Sequence, residues 1–122
     1  MIKRLDRVDV ATTDLADASR NYEHNFGFTV RRAAASADAV IAVGGAEIRL
    51  RSGTAAAATI AATGEGLAAL WLEAEDVDEV AAAFAKAGIA HAPLRREQQR
   101  RILAVDVKAA NQVPLFIFDR RG

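Results

Sequence analysis

The sequence has no cysteine and only two histidines among 122 residues, and these scarcities set the first limits on its chemistry. Without cysteine there is neither a disulfide scaffold nor a thiolate nucleophile. Two imidazoles supply little for a transition-metal site, which leaves oxygen ligands or no metal. Net charge is absent too: sixteen Lys and Arg face sixteen Asp and Glu. No overall field draws the chain to nucleic acid or to an anionic membrane, so neither is an expected partner. No apolar run approaches the roughly 20 residues that cross a bilayer, because even the alanine-rich stretches are broken by Thr, Gly or charge. Met1 to Arg7 passes straight into a charged, alternating pattern with no apolar targeting core, and the expectation is a cytoplasmic protein. The length suits one domain with one core.

What is present is a pattern written twice. Leu5 to Phe28 and Leu67 to Ile89 share one grammar at an offset of about 62 residues. Each copy opens with period-two alternation: Leu5, Arg7, Asp9 and Ala11 against Val8 and Val10, then Ala69, Trp71 and Glu73 against Leu70 and Leu72. Each then reaches an acidic helix cap, Asp14 before Leu15 and Asp76 before Val77, with Asp76 and Glu79 spaced like a capping box. The stripes Leu15, Ala18, Tyr22, Phe26 and Val77, Val80, Ala81, Phe84 predict one buried face per helix. Gly27 and Gly88 follow as left-handed stop signals.

Three strand candidates follow each glycine: 28–32, 39–43 and 47–51 in the first copy, then 89–94, 101–106 and 113–118 in the second. Gly44-Gly45 reads as a hairpin turn, and Ala109-Ala110-Asn111-Gln112 as a looser one whose Asn tolerates positive φ. The reading is therefore an α+β fold of two βαβββ modules in a single domain, 1–122. Module one covers 1–52, a low-complexity linker with room for a helical turn covers 53–65, and module two covers 66–122. A helix on one face of each four-stranded, mixed or antiparallel sheet leaves the other face free, and two such faces are expected to form a curved cup. Strand parity assigns Arg7, Asp9, Glu47, Arg49, Ala69, Trp71, Glu73, Pro114, Phe116 and Phe118 to that face.

This order of elements resembles the vicinal oxygen chelate superfamily, which includes glyoxalase I, extradiol dioxygenases, fosfomycin-resistance enzymes and bleomycin-resistance proteins. Leu5 to Leu15 is similar to the family opening, in which a strand leads to Asp-Leu and a helix; Phe26-Gly27-Phe28 supplies the usual helix ending, and Asp106 to Phe118 the closing hairpin. The resemblance implies a homodimer. In metal-dependent members it also implies His and Glu ligands on the first and last strands of each module. Here those positions hold Arg7, Ala69 and Pro114, with Glu47 as the one plausible ligand. A guanidinium at position 7 repels a cation, so the expectation is a pocket with no metal and no cofactor.

Arg7 and Arg49 suit a carboxylate, phosphate or enolate oxygen through forked hydrogen bonds; the competing reading is an internal ion-pair network with Asp9, Glu47 and Glu73. Glu47 and Glu73 are the carboxylates on that face suited to move a proton. Trp71, Phe116 and Phe118 are candidates for an aromatic ligand wall, against core packing as the plainer alternative. His24 and His91 read as solvated or structural, the basic run Arg95 to Arg101 as a solvated hairpin tip, and Gly44-Gly45 as a turn with no helix after it to form a phosphate cradle. Two functions follow. The first is a metal-independent, bleomycin-resistance-like protein that binds a small anionic or aromatic organic molecule in the inter-module cup. The alternative is a metal-independent lyase or isomerase acting through an enolate-like intermediate. A pairing domain whose cup is filled by its own side chains is a third, plainer outcome.

Overall fold

Alternation over Ile2–Ala11 yields strand β1, and Asp14 turns the chain into helix α1, Leu15–Phe26, by accepting the Asp17 N–H at 3.0 Å. Gly27, at φ 70°, ends it in the left-handed region, which costs a glycine little. Strands β2 (Val30–Arg32), β3 (Ala39–Val43) and β4 (Ala46–Arg51) follow. The second copy repeats the order with β5 (Gly66–Ala74), then α3 (Val77–Ala87) capped by Asp76 through the Asp78 N–H at 2.9 Å and closed by Gly88 at φ 75°. Strands β6 (Arg95–Glu97), β7 (Arg100–Ala104) and β8 (Leu115–Asp119) complete it, with a 3-10 turn at Val107–Ala110. This computed structural model describes residues 1–33, 36–110 and 112–121.

The chain resolves into two compact units, Arg7–Ala68 and Met1–Asp6 with Ala69–Gly122. In the first, the strand order is β2-β3-β4-β1; in the second it is β1-β5-β8-β7-β6, the first residues of β1 belonging here. The sheets are mixed. β1 runs parallel to β4 and β5 parallel to β8, while the β2–β3–β4 and β6–β7–β8 pairings are antiparallel. A returning helix and two hairpin reversals between the first and fourth strand of a module leave those two pointing the same way. The four strands of a module therefore do not form a wholly antiparallel sheet.

Strand parity sorts the core. In the C-terminal unit, Leu72, Leu103, Leu115 and Ile117 pack against Val77, Val80 and Phe84 of α3, while Ala69, Trp71, Ile102, Phe116 and Phe118 form a separate cluster. In the N-terminal unit Val10, Ile41, Ile48 and Leu50 pack against Leu15, Ala18 and Tyr22 of α1. Burying Ile102 and Phe118 completely contributes roughly 2–3 kcal/mol each.

Three local readings are corrected. The stretch read as a linker forms helix α2, Thr54–Thr63, because a run of alanine is the strongest helix former even without a side-chain cap. The strand expected over 89–94 is displaced: residues near His91 make one isolated bridge to Val105, and the strand starts at Arg95. Phe26 leaves the half-buried stripe and is 65 % exposed, its ring 5.9 Å from those of Tyr22 and Phe28. The reading of Asn111 in the turn before β8 lies outside the described residues; its neighbour Gln112 has φ 68°.

Candidate functional site

Charged residues of the N-terminal unit collect on the sheet face away from α1. The parallel register sets Arg7 beside Glu47 and Asp9 beside Arg49, so acid and base alternate across the two strands. The closest contacts run along the strands instead. Arg7 Nε lies 3.0 Å from Asp9 Oδ1, an ion pair without the alignment of a hydrogen bond, and Arg49 Nε donates to Glu47 Oε2 at 2.9 Å. Asp38, buried just before β3, forms ion pairs with both Arg49 (3.7 Å) and Arg51 (3.3 Å). Sequence reasoning missed Asp38 and Arg51. Only the β3–β4 pairing, which sets Ala39 opposite Leu50, carries Asp38 toward Arg51.

In the C-terminal unit the parallel register sets Trp71 beside Phe116 and Glu73 beside Phe118. Trp71 and Phe116 stack with centroids 4.5 Å apart and planes 20° from parallel, and Phe118 meets Trp71 edge-on at 6.2 Å. Guanidinium groups lie over this cluster: Arg100 over Trp71 at 5.4 Å and over Phe118 at 5.2 Å, Arg95 over Phe116 at 5.9 Å, and Arg120 over Phe118 at 5.4 Å. Such contacts draw the cation to the negative ring face. The basic run is thus more than a solvated tip, because Arg100 and Arg101 turn inward at the start of β7.

Glu73 is buried and surrounded by cations: Arg4 Nε donates to Oε1 at 3.0 Å, with Arg120 Nε 3.5 Å and Lys3 Nζ 3.8 Å from Oε2. A cleft of about 350 Å³ opens beside it, lined by Lys3, Glu73, Ala74, Glu75, Arg120 and Arg121. A second, of about 250 Å³, lies in the N-terminal unit between the end of β1 and α1 and reaches Glu65.

Two further carboxylates hold the scaffold. Asp119 accepts from Arg101 Nη2 at 2.6 Å, from Arg101 Nε at 3.1 Å, and from the Val77 N–H at 2.8 Å at the start of α3. Arg101 also binds Asp78 at 2.8 Å and Asp76 at 3.1 Å. Burial raises the Asp119 pKa, but the hydrogen bonds from Arg101, Val77 and Arg121 outweigh it and hold the carboxyl below its ordinary range. Glu65 Oε1 accepts the Thr13 N–H at 2.7 Å, the Thr13 hydroxyl at 2.8 Å and the Thr12 hydroxyl at 3.1 Å; these bonds, the backbone one foremost, lower its pKa.

The positions to which the resemblance assigns metal ligands carry one carboxylate, Glu47. Ala69 and Pro114 offer no side-chain donor, Arg7 is cationic, and Glu47 Oε2 is engaged by Arg49. Among the described residues no three His, Asp or Glu side chains cluster to hold an ion. Nor is any described helix long and apolar enough to cross a membrane.

Residues 4–111 match the Glyoxalase/Bleomycin resistance protein/Dioxygenase superfamily, and the chain belongs to it. Solved structures share the fold at low identity. Methylmalonyl-CoA epimerase from Mycobacterium tuberculosis has a TM-score of 0.76 at 22 % identity over 97 % of this chain and 88 % of that one. A variant of the Streptomyces coelicolor methylmalonyl-CoA epimerase, in complex with 2-nitronate-propionyl-CoA, scores 0.77 at 22 % identity over 98 % and 95 %. A hypothetical protein from Bacillus halodurans C-125 scores 0.79 at 14 % identity, also over 98 % and 95 %. No curated protein matches the chain significantly.

Proposed function

We propose that this protein binds a small organic molecule combining an anionic group with an aromatic or amphipathic body, and that it does so without a metal ion. The observation that carries the reading is the partly exposed Phe116, stacked on the buried Trp71, with guanidinium groups over the cluster: an apolar ring and cationic donors on one sheet face. Small-molecule sites have that composition, mostly apolar with a few placed polar groups. Phe116 offers the apolar contact, with the buried Trp71 and Phe118 backing it; the charged Arg7, Asp9 and Arg49 gather separately, on the sheet face of the N-terminal unit. Arg7, Ala69 and Pro114 support the metal-free part of the reading. Titration with planar aromatic acids, followed by Trp71 fluorescence, tests it. Saturable quenching is expected; a purified, folded sample that binds none of the series overturns it.

A second reading, a metal-independent lyase or isomerase acting through an enolate-like intermediate, is favoured by Glu73. This carboxylate lines a 350 Å³ cleft with Lys3 and Arg120 against it, a proton-moving group beside cations that suit a developing oxyanion. The neighbours named as epimerases share the fold with this chain. Glu47 beside Arg49 offers a similar pair in the N-terminal unit. Binding ranks first because both carboxylates already accept from guanidinium groups. Deuterium uptake from solvent at the carbon next to an acyl group tests the alternative. Glu47→Gln or Glu73→Gln should slow it by orders of magnitude, and unchanged rates in both remove them as bases.

A further inference from the structure

Arg100 opens β7 with its side chain only 17 % exposed, resting on the rings of Trp71 and Phe118. Its carboxylate pairing among the described residues is Glu97 Oε1, 3.8 Å away and on a side chain that is 50 % exposed. Other inward-turned arginines are held much more closely. Arg101 has Asp119 at 2.6 Å and Asp78 at 2.8 Å, Arg7 has Asp9 at 3.0 Å, and Arg49 has Glu47 at 2.9 Å. A guanidinium directs five N–H donors within its plane, and the rings beneath Arg100 engage its face instead of those donors. None of the Arg100 nitrogens is among the buried side-chain atoms left without a partner, so these donors stay open to solvent and to an incoming acceptor. Glu97, half-exposed and beyond hydrogen-bond distance, occupies them only loosely.

We propose that Arg100 is the specificity-determining contact of the aromatic face, and that the ligand class is a planar aromatic carboxylate. The carboxylate takes the forked donors of Arg100 and displaces Glu97, while the ligand ring lies against Phe116, the partly exposed member of the stack. Two parallel N–H···O bonds give this pairing its geometry. The inference rests on the binding function proposed above and assigns it a residue and a chemical class. Sequence parity did not select Arg100, because the residue sits inside a run that reads as a turn.

Calorimetric titration of the full chain with 2-naphthoate and with its neutral counterpart 2-naphthamide tests it. The unaltered protein is expected to prefer naphthoate by about tenfold or more. Arg100→Gln is expected to remove the preference by weakening naphthoate alone. Glu97→Gln, at an exposed hairpin position that leaves folding intact, is expected to tighten naphthoate severalfold without changing naphthamide. Equal binding of both probes by the unaltered protein overturns the Arg100 assignment while the binding function stands. So does a preference that survives Arg100→Gln but disappears in Arg7→Gln or Arg49→Gln, and so does an unchanged naphthoate affinity in Glu97→Gln. Failure of both probes to bind overturns this inference, and failure of the whole series of aromatic acids overturns the binding function as well.

Discussion

Asp119 has no solvent exposure, yet it is charged and satisfied, because Arg101 and two backbone N–H groups converge on it. Asp119→Asn keeps the shape and removes the charge, leaving Arg101 with Asp76 and Asp78. The expected loss is about 3 kcal/mol, the lower end for breaking a buried pair, read from urea unfolding at neutral pH. The pH dependence has a definite sign. The folded-state pKa of Asp119 is depressed, so its contribution is fully present above the ordinary carboxylate pKa. It is lost as pH falls through the depressed value, because the unfolded chain takes up the proton first. Acid unfolding of the unaltered protein should therefore steepen below about pH 4, and Asp119→Asn should flatten that limb. Neither Asp119 nor Arg101 stood out in sequence, since nothing local links two residues 18 apart.

The paired elements were the most legible part of the chain. Asp14 and Asp76 cap their helices, and Gly27 and Gly88 end them at nearly equal φ, 70° and 75°. A methyl group added at either glycine meets no atom within 4 Å, so Ala there incurs backbone strain alone. Gly27→Ala and Gly88→Ala should each destabilise by about 1–2 kcal/mol, and by similar amounts, measured as a fall in urea midpoint with unchanged slope. Helix α2 and strand β6 were less legible. Alanine carries no stripe from which a packed helix face can be read, and the three residues of β6 are defined by their partners in β7 rather than by alternation. Glu65, just after α2, is the corresponding hidden tie to the start of α1. Glu65→Ala should speed hydrogen exchange at the Thr13 amide. In the unaltered protein the same exchange should rise as pH falls through the depressed Glu65 pKa, after correction for the intrinsic rate.

At the scale of the whole molecule, membership of the superfamily brings two expectations that solution measurements check. Exhaustive treatment with a metal chelator should leave the thermal midpoint and aromatic-acid binding unchanged if, as the resemblance implies, Arg7, Ala69 and Pro114 stand where metal-dependent members carry ligands. A lowered midpoint restored by one divalent ion would overturn the metal-free reading. Sedimentation should give a species of twice the 13.0 kDa chain mass if the pairing implied by the resemblance holds; a monomer across the accessible concentration range would remove that expectation.

The order of elements, the repeat, the helix caps and the sorting of strand residues onto two faces were determined by the sequence itself. Each of these acts through neighbours no more than about four residues away, where backbone geometry makes spacing decisive. The tertiary structure alone decided which charges meet: Glu73 with Arg4 across 69 residues, Asp38 with Arg49 and Arg51, and Arg101 with Asp119. Strand register sets those distances, and a shift of one residue would turn every partner to the opposite face. The charged sheet face of the N-terminal unit was readable in outline from Arg7, Glu47 and Arg49, and the aromatic cluster of the C-terminal unit from Trp71. The choice of Arg100 over Arg7 and Arg49 as the loosely paired guanidinium came only with the register.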